Sequence, residues 1–264
     1  MTLSLYVVLL LMAEPAADAA PSWRALSEEA LELRMQGRLE EAEALYRRAL
    51  NGLAKTVSET HPDYAVALNN LGRVRAARGD YPSARRCHER ALMRLEGSLG
   101  PDHPLVAKAA ANLAEIYQAL NRFDRAAALF DRALAKERDE VRRAEHLERL
   151  AFCQFKRKRL SEATASQERA LLLRQKTGGA GSGEAAENEA NLAALYFHAR
   201  RFDEAARHFG EAVPRLASRW GADSPRLLEA LGIWQQALLR LDDFAGAARV
   251  EARSMRIRVR AALR

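Results

Sequence analysis

The sequence contains 264 residues, of which 48% are hydrophobic and 29% are charged, and its formal net charge is +7. Ala, Leu, Arg and Glu dominate, and runs of Val, Ile and Thr between turn residues are missing, so the composition predicts helices and excludes a sheet-based fold. Arg is spread along the chain beside Glu and Asp, which indicates solvated faces and argues against a nucleic-acid partner.

The first twenty residues differ in composition from the rest of the chain. Residues 3–13 form an apolar run of eleven residues, and EPAADAAP follows it. Such a run is too short to cross a hydrocarbon layer of about 30 Å, but it suits the centre of a secretory signal with Ala17-Asp18-Ala19 as cleavage motif. We therefore predict a signal peptide over residues 1–20 and an exported protein, periplasmic or extracellular, without stable membrane insertion after cleavage. The alternative is a frayed apolar tail or a misassigned start, and the protein is then cytoplasmic.

A pattern of small and bulky residues repeats six times along the chain. Each copy has an alanine, a bulky apolar residue three positions before it, and a small residue seven positions after it. The alanines are Ala42, Ala84, Ala126, Ala163, Ala205 and Ala247, with spacings of 42, 42, 37, 42 and 42 residues. The bulky residues are Leu39, Tyr81, Phe123, Leu160, Phe202 and Phe244, and the second small residues are Ala49, Ala91, Ala133, Ala170, Ala212 and Ser254. Six copies in phase predict a repeat protein.

Each unit contains two helical patterns separated by a short break. In the second unit, Leu68, Leu71 and Gly72 fall on one face of a first helix, and Gly79 with Asp80 forms the turn into the next helix. Small residues at fixed places let the two helices of a pair approach closely. Because a single helix pair cannot bury both of its apolar faces, the pairs are expected to stack on one another.

These motifs resemble those of tetratricopeptide repeats. The aromatic residue at the eleventh place (Tyr117, Tyr196) and the alanines at the twentieth and twenty-seventh places are similar to that family, and the 42-residue period with the linkers VSETHPDYA (57–65) and SLGPDHPLVA (98–107) is similar to kinesin light chains. The resemblance implies an all-α, right-handed superhelix (α-solenoid) of about six helix-turn-helix repeats over residues 21–264. The units expected are 23–62, 63–104, 105–142, 143–183, 184–224 and 225–264. The fourth unit reads as five residues short, and KTGGAGSGE (176–184) replaces the proline linker after it.

No chemistry beyond binding is indicated by the polar residues. The glycines of residues 176–184 lack the Lys-Ser/Thr of a phosphate-binding loop and are interpreted as a linker. His61 and His103 stand directly before prolines, where we expect them to cap helices. The other histidines form no metal-ligand pattern, and Cys87 and Cys153 are expected to be buried thiols. We therefore predict no enzyme, no cofactor and no metal.

Three asparagines recur at the sixth place of a first helix, namely Asn70, Asn112 and Asn191. Asparagine is unfavourable inside a helix, by up to about 0.7 kcal/mol relative to alanine, so something must offset that cost. In tetratricopeptide domains this place faces the concave groove, and the resemblance implies that these amides bind the main chain of a peptide. Hydrogen bonds within the helix or to the next repeat are the alternative.

Other residues around the same face complete the predicted groove. They are Arg73, Glu115, Arg149, Phe152, Lys156 and Phe197. The phenylalanines would anchor a ligand, although Phe152 and the nearby Phe155 could instead be core, and the cations would favour an acidic ligand.

The sequence thus predicts a scaffold that binds an extended segment of another protein. Two alternatives remain open: an assembly element that self-associates through its end repeats, and a basic polyanion-binding protein. The C-terminal stretch 253–264, in which Arg alternates with apolar residues, is interpreted as the last helix of the sixth unit, with a polar outer face.

Overall fold

The computed structural model describes residues 22–56, 59, 61–179 and 181–263. Within these residues the chain forms twelve α-helices and one short 3-10 turn, with no strand, so the all-α prediction is confirmed for this part of the chain. The helices are α1 (Trp23–Met35), α2 (Leu39–Thr56), α3 (Pro62–Ala77), α4 (Tyr81–Leu99), α5 (Pro104–Ala119), α6 (Phe123–Leu134), α7 (Glu140–Lys156), α8 (Leu160–Gly178), α9 (Gly183–His198), α10 (Phe202–Trp220), α11 (Leu228–Arg240) and α12 (Phe244–Ala262), and the 3-10 turn is Pro225–Leu227.

The repeated small residues are where the helices are most tightly packed. All six first alanines and all six second small residues are buried. Tyr117 and Tyr196, the aromatic residues of the resemblance, are buried as well. The bulky residue of each unit is only partly covered or exposed, and in the last unit Phe244 is 65% exposed. The small residues therefore form the crossing, and the bulky residues lie beside it.

The first and second helix of every unit are joined by the same tight turn. Each turn has one residue in the left-handed region, with φ between 57° and 81°. These residues are Gly37, Gly79, Asn121, Lys158, Arg200 and Asp242. In each turn the following backbone N–H donates to a carbonyl five residues back, as Asp80 N does to Arg75 O at 2.9 Å, which ends the first helix by a Schellman-type cap.

The helices that follow the proline linkers are capped by histidine, as expected from the sequence. Nδ1 of His61 accepts the N–H of Asp63 and Nδ1 of His103 accepts that of Leu105, both at 3.2 Å. The proline after each histidine occupies the first helical turn, where its missing N–H costs nothing. Ser224, in the corresponding place before α11, accepts no such bond, and a 3-10 turn opens that segment.

The assignment of the five-residue shortening to the fourth unit was wrong. Helix α6, the second helix of the third unit, has 12 residues, whereas α4, α8, α10 and α12 have 19 each. The fourth unit keeps two long helices, and Ser182 in the linker after it caps α9 by accepting the N–H of Ala185 at 3.1 Å. The glycines of this linker thus connect two helices, as expected.

The helices divide into two compact units, the first ending at Arg94 and the second beginning at Leu95. In the first, α2 packs against both α1 and α3, and the core is centred on Tyr46 and Leu53. In the second, each helix from α5 to α12 packs against the next one, and α9 also contacts α11.

Several further predictions concern the chain ends and the cysteines. The proposed signal peptide lies outside the described residues and stays a prediction. None of the described helices is both long enough and apolar enough to span a bilayer. Cys87 and Cys153 are free, buried thiols, and burial raises the pKa of Cys153 to about 11. Residues 253–262 are the end of α12, as expected, but its outer face is not purely polar, because Met255 is 63% and Val259 59% exposed.

A buried histidine fills the contact between α3 and α4. Nδ1–H of His88 donates to Oδ1 of Asn69 at 2.9 Å. A Cβ on Gly72 would lie within 3 Å of the imidazole ring, so the glycine makes room for it. Burial, with a smaller contribution from the positive charge of Arg73, lowers the pKa of His88 to about 4.

We expect Ala126→Leu to destabilise the fold by about 1–3 kcal/mol, because the crossing of α5 and α6 has no room for three more carbons. The free energy of unfolding in urea measures this. Ala128→Leu is the matched control, since Ala128 is exposed on the same helix, and it should change stability by less than about 0.5 kcal/mol. Equal effects of the two substitutions would contradict the assignment of Ala126 to the crossing.

His88 should make the folded state less stable in acid. Between pH 6.5 and about 4 the unfolded chain binds a proton at His88 that the folded chain does not bind, so stability falls as the pH falls through this window and levels off below it. The loss should be about 3 kcal/mol. The glutamine of the His88→Gln variant has no titratable group. The difference in unfolding free energy between wild type and variant, measured from pH 7 to 3.5, therefore isolates the contribution of His88 to the pH dependence of stability. A difference that does not vary with pH would show that His88 is not held neutral.

Candidate functional site

In the compact part of the chain that begins at Leu95, a groove lies between the first helices of three repeats, α7, α9 and α11. Its volume is about 350 Å³. The residues that line it are Glu148, Ala151, Phe152 and Phe155 of α7, Gln167 of α8, Asn191, Ala194, Leu195 and His198 of α9, and Glu229 and Ile233 of α11. We call it the α7–α9–α11 groove. A smaller cavity of about 220 Å³, lined in part by Trp220 and Arg226, shares Asn191 and Ile233 with it and extends it.

Aromatic side chains form one wall of this groove. Phe152 is 42% exposed, and its ring meets the edge of Phe123 with centroids 6.0 Å apart. Phe155 packs against the imidazole of His198 at 4.9 Å. Phe152 therefore has a fixed neighbour on one side and open groove on the other, and the alternative that it belongs to the core does not hold.

A buried hydrogen-bond network holds the floor of the groove. Asn188 accepts from Nε2 of Gln167 at 2.8 Å and donates to Glu148 at 2.7 Å. Arg174 donates to the same carboxylate oxygen at 2.7 Å. The network joins α7, α8 and α9, so it fixes the spacing of the two helices that carry Phe152 and Asn191. Of its members Gln167 and Asn188 are buried, and hydrogen bonds between buried polar groups favour one packing arrangement.

The predicted residues Asn191 and Phe152 are brought together in this groove. Asn191 is exposed, and its side-chain amide makes no hydrogen bond to any described residue. The amide is thus free to bind a ligand. The alternative, a hydrogen bond within the helix or to the next repeat, is not found for Asn191 among the described residues. Asn70, Asn112 and Arg73 are half-buried on α3 and α5 and are not among the lining residues.

The predicted charged residues lie beside the groove and do not line it. Arg149 pairs with Glu115 of α5 at 3.3 Å. Lys156 lies over the ring of Phe152, with Nζ 5.3 Å from its centroid. The charged side chains in the lining are instead two carboxylates, Glu148 and Glu229. The groove itself therefore does not favour an acidic ligand, because the expected cations point elsewhere or are already paired.

Phe197 also lies outside the lining. Its ring packs against Phe202 at 5.6 Å and against the cluster that includes Tyr196 and Leu192. It shares its place in the repeat with Phe155, since each stands eight residues before the first alanine of its unit. Phe155 and Phe197 thus occupy equivalent places in two repeats but have different neighbours. The periodic pattern does not distinguish the two residues.

Two lining residues of α11 were missed by the sequence analysis. Ile233 stands fourteen residues before Ala247, the same offset that relates Asn191 to Ala205. The signal was therefore present, but only the three asparagines and Arg149 were considered at this place. Glu229 also carries a periodic signal, because Glu145 and Glu187 stand at the same offset of eighteen residues before the first alanine of their units. The network partner Asn188 carries none, because no other unit has asparagine at its offset.

The buried carboxylates outside the groove are engaged by cations. Burial alone would raise the pKa of Glu43, but hydrogen bonds from Arg78 and Arg75 bring it below its ordinary value. Glu189 is similar, since its contact with His208 at 3.1 Å and the charge of Arg215 lower a pKa that burial would raise. Among the described residues no three His, Cys, Asp or Glu side chains are grouped to hold a metal ion.

Comparison with known proteins agrees with the helix-pair architecture. The sequence model described as tetratricopeptide repeat matches residues 24–97, 74–136 and 142–218. No curated protein matches the chain.

Solved structures of similar fold include kinesin light chain-like repeats. The nearly identical TPR-like repeats of a kinesin light chain-like protein of Podosopora anserina are 21% identical, covering 74% of this chain and 95% of that one, with a TM-score of 0.65. BtubC (BKLC) from P. vanneervenii is 23% identical, covering 84% and 92%, with a TM-score of 0.67. YrrB, described as a TPR protein with an unusual peptide-binding site, is 13% identical, covering 80% and 91%, with a TM-score of 0.60.

At these identities the solved structures support the fold alone. The family assignment comes from the sequence model, which matches more than half of the residues and whose matches span five of the six helix pairs. With its consecutive packed helix pairs and its 42-residue period, the chain belongs to the tetratricopeptide repeat family and has repeats like those of kinesin light chains.

Proposed function

We propose that the protein binds an extended segment of another protein in the α7–α9–α11 groove. Tetratricopeptide repeats are in general scaffolds for protein–protein interaction, typically without catalysis. The observation that carries the finer proposal is the pairing of an exposed aromatic wall, Phe152, with the free amide of Asn191 in a groove of about 350 Å³. An aromatic anchor beside a main-chain-binding amide is the chemistry that an extended peptide requires.

The proposed ligand is a segment with an apolar side chain that fills the space between Phe152 and Ile233. Glu229 is exposed at the lining and makes no ion pair with any described residue, so a polar or basic neighbour of the anchor would be favoured there. This replaces the acidic ligand expected from the sequence for this groove.

A photocrosslinking amino acid at position 191, in the native host, should capture the partner and identify the bound segment by mass spectrometry. The same group at Arg207, which is exposed on α10, is the control position. With the captured segment as a synthetic peptide, Phe152→Ala should weaken binding by about 30-fold, and Asn191→Ala by about five-fold, in a titration calorimeter.

The control for Phe152→Ala is Phe244→Ala, which removes a more exposed ring outside the groove. Phe244→Ala should leave peptide affinity unchanged. Both groove variants should keep the melting temperature within about 3 °C, since the affected side chains are partly or fully exposed. Unchanged affinity in both groove variants would refute the proposal, and so would a loss of folding in Asn191→Ala, because that would make the amide structural.

A second candidate function is self-association through α12. The observation that favours it is the exposure of Met255 and Val259 on the outer face of the last described helix. Exposed apolar side chains at neighbouring turns of a helix are typical of a protein interface.

Self-association predicts a scattering mass that rises with protein concentration. The double substitution Met255→Glu with Val259→Glu should return the mass to that of the monomer, because it places charges in the proposed contact. Leu172→Glu with Met93→Glu, which changes two exposed apolar residues on other helices, is the control. The wild type should be measured from about 5 to 500 µM, a range that includes association with a free energy of only about −5 kcal/mol. A constant monomer mass over this range would exclude this function.

A further inference from the structure

A cationic cleft lies at the turns of the third and fourth units, outside the α7–α9–α11 groove. Its volume is about 530 Å³. Five of its lining residues are cations, Arg122, Arg125, Lys156, Arg157 and Arg159, and one is a carboxylate, Asp124. We call it the third-turn cleft. Concave sites of this size accept a few side chains of a ligand.

The carboxylates near the cleft do not neutralise it. Asp124 pairs with Arg157 at 2.5 Å, and Arg159 pairs with Glu162 at 3.1 Å. No carboxylate among the described residues pairs with Arg122, Arg125 or Lys156.

Two of these three cations contact neutral groups. Arg125 donates to the hydroxyl of Tyr117 at 3.3 Å, and Lys156 lies over Phe152. Three positive charges therefore line one concave surface, and the one carboxylate of its lining, Asp124, is paired with Arg157 and not with them, which favours binding of an external anion.

The other units show which anion fits this place. In three of them an arginine just before the second helix pairs with a glutamate three residues later: Arg38 with Glu41 at 2.5 Å, Arg159 with Glu162 at 3.1 Å and Arg201 with Glu204 at 2.7 Å. In the third unit the arginine is Arg122, but the residue three positions later is Arg125. The third turn thus lacks the carboxylate that these three turns provide for themselves.

We propose that the third-turn cleft is a second docking site, which binds a carboxylate-rich segment of a partner protein. A side-chain carboxylate of the partner takes the place that Glu41, Glu162 and Glu204 occupy in their own turns, and it pairs with Arg122 and Arg125. Guanidinium groups bind carboxylates through two parallel hydrogen bonds, which gives direction as well as charge. Lys156, at the opposite wall of the cleft, binds a second carboxylate of the same segment.

The cleft favours an acidic peptide over a nucleic acid. The cationic surface is short, because Glu162 bounds it on the side of α8 and Asp124 lies within it. A nucleic acid gains affinity by contacting many phosphates along a continuous basic surface. A short acidic segment needs only the few contacts that this cleft offers.

The site does not depend on the proposed groove. Asn191 can be replaced without touching any residue of the cleft, whereas Phe152 contacts Phe123 and Lys156 of its lining, so Asn191→Ala is the groove variant that leaves the cleft intact. The ligand chemistry also differs, since the charged side chains that line the groove are carboxylates. We therefore expect a groove variant to lose binding of the groove ligand and keep binding of the acidic segment. A cleft variant should show the reverse.

Binding of a fluorescein-labelled peptide of eight glutamates, followed by fluorescence anisotropy at 50 mM salt, tests the proposal, with eight glutamines as the uncharged control peptide. The full-length protein should bind the glutamate peptide, and affinity should fall as salt rises. Arg125→Glu rewrites the third turn in the pattern of the other three and should lower the affinity about ten-fold or more, because it removes one partner and fills the place of the ligand.

Arg256→Glu is the matched control, since Arg256 is exposed on α12 and the substitution changes the net charge by the same amount. It should change the affinity by less than about two-fold. Arg122→Gln, a milder change at the same cleft, should weaken binding about three-fold, and circular dichroism should show that all three variants keep the helical fold.

Three results would overturn the proposal. The first is equal loss of affinity in Arg125→Glu and Arg256→Glu, which would mean that only the overall charge attracts the peptide. The second is no saturable binding by the wild type at 50 mM salt. The third is tighter binding of heparin or single-stranded DNA that Arg125→Glu abolishes, which would assign the cleft to a sulfate or phosphate polymer.

Discussion

The close crossing of two helices at small side chains is the constraint on which the rest of the structure depends. Ala126 in α6 and Ala205 in α10, like their four equivalents, are completely or almost completely buried. A larger side chain at either place would separate the two helices, since interiors are packed without spare volume. Once the crossings are in place, each helix pair still has apolar faces that only a neighbouring pair can cover, and the pairs must stack.

Stacking produces surfaces whose residues are not constrained by the core, and these surfaces are where binding can develop. The α7–α9–α11 groove arises because first helices of successive pairs lie side by side, with the network around Asn188 fixing their spacing. The third-turn cleft arises where residues at the turns of the third and fourth units line one concave surface. The same architecture thus supplies two surfaces of different chemistry, one aromatic with carboxylates and the other cationic.

The places where the sequence analysis was wrong have physical explanations. The shortening lies in α6 because a helix can lose residues at its end without moving the crossing at Ala126. The spacing between alanines gives only the total length between two crossings, and it does not say which helix is shorter. The periodic pattern does not show which charged residues line the groove, because an ion pair between repeats, such as that of Arg149 with Glu115, leaves no trace in it.

The sequence by itself determined the helical class, the repeated pairs, the buried alanines, the His-Pro caps and the fate of the two cysteines, since each follows from local preference or from a period that every unit shares. Only the tertiary structure decided which of the equivalent phenylalanines faces the groove. Phe155 meets His198 there, whereas Phe197 packs against Phe202. The physical reason is that the direction of such a side chain depends on residues of a neighbouring helix, and those residues differ from unit to unit although the backbone repeats.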